Sequence, residues 1–197
     1  MKQLPLVAAL ALAITAAATP ALADSIAIGG DNAWHPFAVD SLLAPLATPL
    51  RWIDDSGALR TFTFSVGAGQ SAQLTVLDLD FAGDTFSVFS NGALLGNTSA
   101  VPIGSLESSA DAGFDFAAAL ANNSFSRGVF IFSPGSYTIG GSLLQSATFG
   151  GVPIEATGGA VRLAFVTAPV PEPETISLLL GGFIALGALM RRRGLGR

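Results

Sequence analysis

Between Arg60 and Val66 the chain alternates with a period of two: Phe62, Phe64 and Val66 fall on one side, Thr61, Thr63 and Ser65 on the other. Only an extended strand with one buried face turns that order into a continuous apolar surface. The same signal recurs. Gln73 to Leu79 sets Leu74 and Val76 against Thr75 and Leu77, and Thr85 to Ser90 sets Phe86 and Val88 against Ser87 and Phe89. Ala160 to Val166 places Val161, Leu163 and Phe165 on one face. Ser25 to Ile28 reads as a first strand. Arg127 to Phe132 and Tyr137 to Gly140 read as partners across a Ser133-Pro134-Gly135 turn, with a further strand between Leu143 and Phe149. Gly67-Ala68-Gly69 and Ala82-Gly83-Asp84 are turn chemistry, and Asn91-Gly92 is the two-residue hairpin signal, leading into Ala93 to Gly96. Short strands punctuated in this way predict an all-β fold, an antiparallel β-sandwich of jelly-roll-like form. One short helix interrupts it, from Asp115 to Ala121, with Asp115 placed to cap. Ser25 to Leu50, broken by Pro36, Pro45 and Pro49, predicts an irregular, partly buried connection after the first strand, and Thr98 to Asp111 a long loop.

The two ends do not belong to this pattern. Lys2, an apolar run from Leu6 to Ala18 and the small-x-small sequence Ala21-Leu22-Ala23 form a secretory signal peptide over residues 1–23. Cleavage after Ala23 makes Asp24 the first mature residue, and the partners are the Sec translocon and signal peptidase. An N-terminal membrane anchor would need a longer span. At the other end, residues 168–197 form a tail of three parts. A collar, 168–174, carries Pro169, Pro171 and Pro173, which lack backbone donors and hold the chain extended. An uncharged apolar segment, 175–190, follows. As a helix of these residues it is about 24 Å long at 1.5 Å per residue, short of a full bilayer span unless the membrane thins and its flanking arginines snorkel. Arg191, Arg192 and Arg193 then act as a basic stop on the cytoplasmic side, within the basic end 191–197. A buried core helix and a glycolipid-anchor signal are the alternatives. The collar and the arginine cluster argue against the first, and the polar, basic end argues against the second.

What remains, residues 24–167, is one passenger domain. It carries twelve Asp and Glu against Arg51, Arg60, Arg127 and Arg162, a net charge of −8. Nucleic acid is excluded as a partner, because it requires basic patches. Cations and neutral glycans fit this balance better. The chain has no cysteine. Disulfide staples, thiolate catalysis, Cys-ligated metals and a lipidated cysteine are therefore excluded, and the domain relies on its core alone.

Val170-Pro171-Glu172-Pro173, the apolar segment and the arginine cluster, in that order, resemble the PEP-CTERM sorting domain of Gram-negative bacteria. Pro171, Glu172 and Pro173 match its signature position by position. The resemblance implies recognition and processing by an exosortase, an integral membrane transpeptidase-like enzyme, in bacteria that make exopolysaccharide and biofilm or floc matrix. It covers about the last 29 residues and implies nothing about chemistry in the body. More loosely, the body is similar to secreted β-sandwich domains of unassigned activity that carry a Val-Phe-x-Asn-Gly hairpin, here Val88-Phe89-Ser90-Asn91-Gly92. That likeness bears on fold only.

Few residues offer chemistry. His35 is the only histidine. No Gly-x-Ser-x-Gly elbow accompanies it, and a zinc site needs several His or Cys ligands. Carboxylates are the better candidates. Asp78, Asp80 and Asp84 surround one tight turn, and Asp54-Asp55, Asp111 and Asp115 add to them. Clustered carboxylates with loop carbonyls suit Ca²⁺, and residues two apart in a strand share a face, which makes Asp78, Asp80 and Asp84 the candidate metal ligands. The spacing is not that of an EF-hand, and turn-forming or solvating carboxylates at a sheet edge are the alternative. A glycosidase pair has nothing to select it among twelve acids. Trp34, Trp52 and Tyr137 are a sugar-stacking platform if they meet, and core residues otherwise. The sequence thus predicts an exported, non-enzymatic surface or matrix protein without a resident cofactor. Its precursor sits in the inner membrane with the body periplasmic, its mature form lies at the cell surface or in the matrix, and extracellular polysaccharide is the expected partner. A Ca²⁺- or glycan-binding module is the alternative, and a hydrolase the third reading.

Overall fold

The computed structural model describes residues 24–44, 48–167, 178–180 and 182–183. Ala21 and Ala23, the sorting residues Val170, Pro171, Glu172 and Pro173, and the basic stop Arg191, Arg192 and Arg193 lie outside the described residues. So does most of the expected transmembrane segment, of which 178–180 and 182–183 are helical and exposed. Among the described residues no helix is long and apolar enough to cross a membrane.

The body is a sandwich of two sheets. The five-stranded sheet runs β1 (Asp24–Ala27), β3 (Arg60–Val66), β10 (Gly135–Gln145), β6 (Thr85–Ser90) and β7 (Ala93–Asn97), in that spatial order. The four-stranded sheet runs β2 (Asp31–Asp40), β13 (Ala156–Thr167), β4 (Gln70–Asp78) and β9 (Arg127–Phe132). Short pairs flank them: β5 (Asp80–Phe81) with β8 (Asp111–Gly113), and β11 (Thr148–Phe149) with β12 (Val152–Pro153). α1 (Phe116–Ala121) is the one helix among the described residues of the body. With β1 and the short pairs set aside, the chain crosses from sheet to sheet at every long connection, and only the β6–β7 hairpin stays within one sheet. This is jelly-roll connectivity, two Greek keys wound together. The strands pair antiparallel except β1, which adds to β3 in parallel.

The alternating residues meet between the sheets. Phe62, Phe64 and Val66 of β3, Phe86 and Val88 of β6, and Ile139 of β10 face Phe37 and Val39 of β2, Leu74 and Val76 of β4, Phe132 of β9, and Val161 and Leu163 of β13. Trp52 is fully buried among them and stacks on Phe37, with ring centroids 3.9 Å apart. Two glycines make room for that pair: a Cβ at Gly141 would stand 2.1 Å from Trp52, and one at Gly159 would stand 2.3 Å from Phe37. A second, smaller core forms where α1 covers the outer face of the four-stranded sheet, burying Leu77, Leu79, Ala119, Phe125 and Ala160. β4 is thus buried on both faces over its second half.

Three expectations change, the first being the further strand placed between Leu143 and Phe149, which is divided between the end of β10 and β11. The segment after β1 is not an irregular connection: Asp31–Asp40 is a ten-residue strand paired along β13. Pro36 is tolerated because β2 is an edge strand, where a missing donor interrupts no second ladder. Tyr137 to Gly140 is not the partner of Arg127 to Phe132. β9 pairs with β4, whereas β10 continues to Gln145 and pairs with β3 and β6 in the opposite sheet. Ser133-Pro134-Gly135 therefore arches between the sheets, and the arch is held by the Tyr137 hydroxyl donating to Ser133 O (2.9 Å).

Candidate functional site

The acidic residues separate into two groups at the end of the sandwich where β4 runs out. β4 stops at Asp78, and Asp80 has φ +57°, in the left-handed region. That turn breaks the period of two, so Asp78 and Asp80 do not share a face. Asp78 is fully buried. Its Oδ2 accepts a long hydrogen bond from Gly83 N (3.4 Å), and its Oδ1 has no partner among the described residues. Burial, and secondarily the charge of Asp84, push the Asp78 carboxyl up to about 9. Asp78 is therefore a neutral acid at neutral pH.

Asp84 is also buried, but both its oxygens are engaged. Oδ1 accepts from Ala147 N (2.6 Å) and Oδ2 from Thr157 Oγ1 (2.6 Å). It ties the start of β6 to β13 and to the loop before β11. Burial raises its pKa, and the hydrogen bond from Thr157 leads the opposing effects. Asp80 is half-buried, and burial followed by the charge of Asp111 raises it.

Asp80 and Asp84, with Asp40, Asp55 and Asp111, line an open cleft of about 680 Å³ whose apolar lining includes Leu43, Phe81 and Phe114. Among the described residues no Lys or Arg lines it. Several of these acids serve their own turns. Asp40 Oδ1 accepts from Leu42 N (2.7 Å), and Asp111 Oδ1 from Gly113 N (2.8 Å). Asp54, next to Asp55, accepts from Ser56 N, Ser56 Oγ and Ala58 N. The Ser56 hydroxyl leads in lowering its pKa. Asp78, Asp80 and Asp84 do not converge as ion ligands, and among the described residues no group of three or more Asp, Glu, His or Cys side chains is placed to hold a metal ion. The reason is local: Asp78 lies in the interior, and Asp84 spends its oxygens on the fold.

The aromatic residues do not meet either. Trp52 is core, and Tyr137 packs on Phe64 and Phe132, with centroids at 5.4 and 4.6 Å. Trp34 lies on the other side of the four-stranded sheet, against α1. His35 lies 6.4 Å from Phe62, ring to ring, and neither of its nitrogens hydrogen-bonds to a carboxylate or hydroxyl among the described residues.

A different constellation surrounds Trp34, one that sequence reading missed. Trp34 on β2 stands opposite Arg162 on β13, and the Arg162 guanidinium carbon sits 4.5 Å from the centre of the indole. Phe116, at the start of α1, stacks on the same ring at 5.3 Å and 10°. With the exposed Phe114, Asp115 and Leu120 they line a groove of about 530 Å³. Asp115 caps α1 as expected, Oδ1 accepting from Ala117 N and Ala118 N (both 3.0 Å). The one sequence signal for this groove was Arg162, a lone charge inside an apolar strand.

No protein-family model and no curated protein matches the chain. Among solved structures it is similar to the pre-peptidase C-terminal domain of a collagenase from Bacillus anthracis. That similarity has 12% identity and a TM-score of 0.36, and it covers 75% of this chain and 98% of that one. At that level it carries no functional reading, and the jelly-roll assignment rests on this chain's own strand order.

Proposed function

We propose that this chain is an exported, non-enzymatic protein of the cell surface or extracellular matrix, sorted by an exosortase and associated with exopolysaccharide. The observation that carries the proposal is the C-terminal order of Val170-Pro171-Glu172-Pro173, an apolar segment and Arg191-Arg192-Arg193. The position of the tail supports it. The last strand, β13, ends at Thr167, and the collar's first proline is Pro169, so processing at the collar removes no strand from the sandwich. The precursor stands in the inner membrane with its body periplasmic, and the body is released or re-attached outside. Replacing Pro171, Glu172 and Pro173 with alanine tests the role of the motif. The variant is expected to accumulate as unprocessed precursor in the membrane fraction. Processing of the variant at the rate of the parent chain would overturn the proposal.

A further inference from the structure

We infer that the groove between Phe114, Phe116 and Arg162 on the outer face of the four-stranded sheet binds a neutral saccharide. The inference rests on the polysaccharide association proposed above and names the surface and the ligand class.

The groove combines what a sugar ring needs. Phe114 is 69% exposed, yet its backbone is held on both sides. Before it, Gly113 adopts φ +49° with its N–H bound by Asp111 Oδ1, and after it Phe116 N donates to Phe114 O (3.1 Å). A large apolar ring presented to solvent from a fixed backbone loses little freedom when a flat apolar surface covers it, and the C–H face of a pyranose is such a surface. Trp34 is not the platform. Phe116 and Arg162 both lie against its ring, so the indole braces the site and holds the guanidinium in place.

The polar groups favour a neutral ligand. Two of the body's arginines are engaged elsewhere. Arg60 pairs with Asp24 (3.1 Å), and Arg127 donates to Leu120 O, Asn122 O and Asn123 Oδ1 at the end of α1. Arg162 makes no ion pair among the described residues, and it lines the groove with its guanidinium against Trp34. Asp115 lines the same groove, and its Oδ1 is committed to the helix cap. Sugar hydroxyls both donate and accept, so a guanidinium and a carboxylate on one rim suit them together. An anionic glycan would meet Asp115 and a body of net charge −8, and a cation would meet Arg162. The volume, about 530 Å³, lies within the usual range for small-ligand sites, about 300–1,000 Å³.

The test is titration calorimetry on the full chain purified in detergent, with dextran, a soluble β-glucan, a galactomannan and polygalacturonate as ligands. At least one neutral polymer is expected to bind, and polygalacturonate is not. Phe114→Ala and Arg162→Gln should each weaken binding about tenfold or more. Phe149→Ala, at a ring 62% exposed outside the groove, should leave binding unchanged. Phe114 is exposed, so its variant keeps the fold even where the Arg162 variant does not. No binding to any neutral polymer, binding indifferent to Phe114→Ala, or preference for polygalacturonate would each overturn the inference. If the protein is processed and sorted in its host while the titrations are silent, only the groove falls. Binding without processing would remove the sorting proposal and leave the groove.

Discussion

Replacing Asp78 with asparagine should stabilise this protein at and above neutral pH. The carboxyl is buried beside Asp84 and pushed from 3.8 up to about 9, foremost by desolvation. Between those values the folded chain holds a proton that the unfolded chain has released. Stability is therefore greatest below the unfolded pKa and falls as pH rises toward the folded one. At 1.36 kcal/mol per unit, the three units between about pH 5 and about pH 8 amount to roughly 4 kcal/mol. That is a large share of a typical total of about 5–15 kcal/mol. Asparagine copies the shape of the neutral acid but cannot ionise. Its amide adds a buried donor that costs about 1–3 kcal/mol when unpaired; set against the roughly 6 kcal/mol that accumulates between the unfolded value of 3.8 and about pH 8, the net gain near pH 8 should be about 4 kcal/mol. Near pH 5 the variant should equal the parent or fall slightly below it. Asp80 and Asp84 are raised in the same direction, so the variant's slope should be reduced rather than abolished. Urea denaturation of both proteins at about pH 5, 6.5 and 8 gives the two slopes. A variant less stable at every pH, with the parent's slope, would show that Asp78 is ionised in the folded state and would refute the reasoning.

Other substitutions test the packing and the pins. Gly141→Ala should cost about 1–3 kcal/mol or more, because its Cβ would stand 2.1 Å from the fully buried Trp52; urea midpoints and Trp fluorescence read it. Asp84→Ala leaves Ala147 N and Thr157 Oγ1 without their acceptor and should cost about 1–3 kcal/mol for each buried group left unpaired. Thr157→Val removes one of those bonds and should cost about 1 kcal/mol, so thermal melts should place it between the parent and Asp84→Ala. Asp115→Ala removes both cap bonds of α1 and should cost about 0.5–2 kcal/mol, with hydrogen exchange rising first at Ala117 and Ala118.

The strands were legible where one face is buried. Arg60–Val66, Thr85–Ser90 and Arg127–Phe132 have the bounds that alternation predicts, and Asn91 and Gly92 take φ +50° and +82°, as a type I′ hairpin requires. The helix was legible from Asp115, whose side chain makes the expected cap. β2 was hidden because prolines read as breaks, and no local signal says that a strand will lie at an edge. The partner of β10 was hidden because Ser133-Pro134-Gly135 turns the chain equally well within a sheet or between sheets. The acidic trio was misread because a period of two presumes a continuing strand, and Asp80 leaves the extended region. The groove left only one trace in the sequence, the lone charge of Arg162 in an apolar strand, and nothing local says what it meets. Trp34 and Arg162 meet only because β2 and β13, from opposite ends of the body, are neighbours in the jelly roll.

The central claim is that the tail directs processing and sorting of an intact jelly-roll body. Intact mass and cell fractionation of the native protein, from a host with and without its exosortase, test it most directly. A chain beginning at Asp24 is expected in both hosts. Loss of everything beyond the Pro171-Glu172-Pro173 region, with release from the inner membrane, is expected only where the exosortase is present. A C-terminus intact through Arg197 in the inner membrane of both hosts would contradict the account and make the tail a plain anchor.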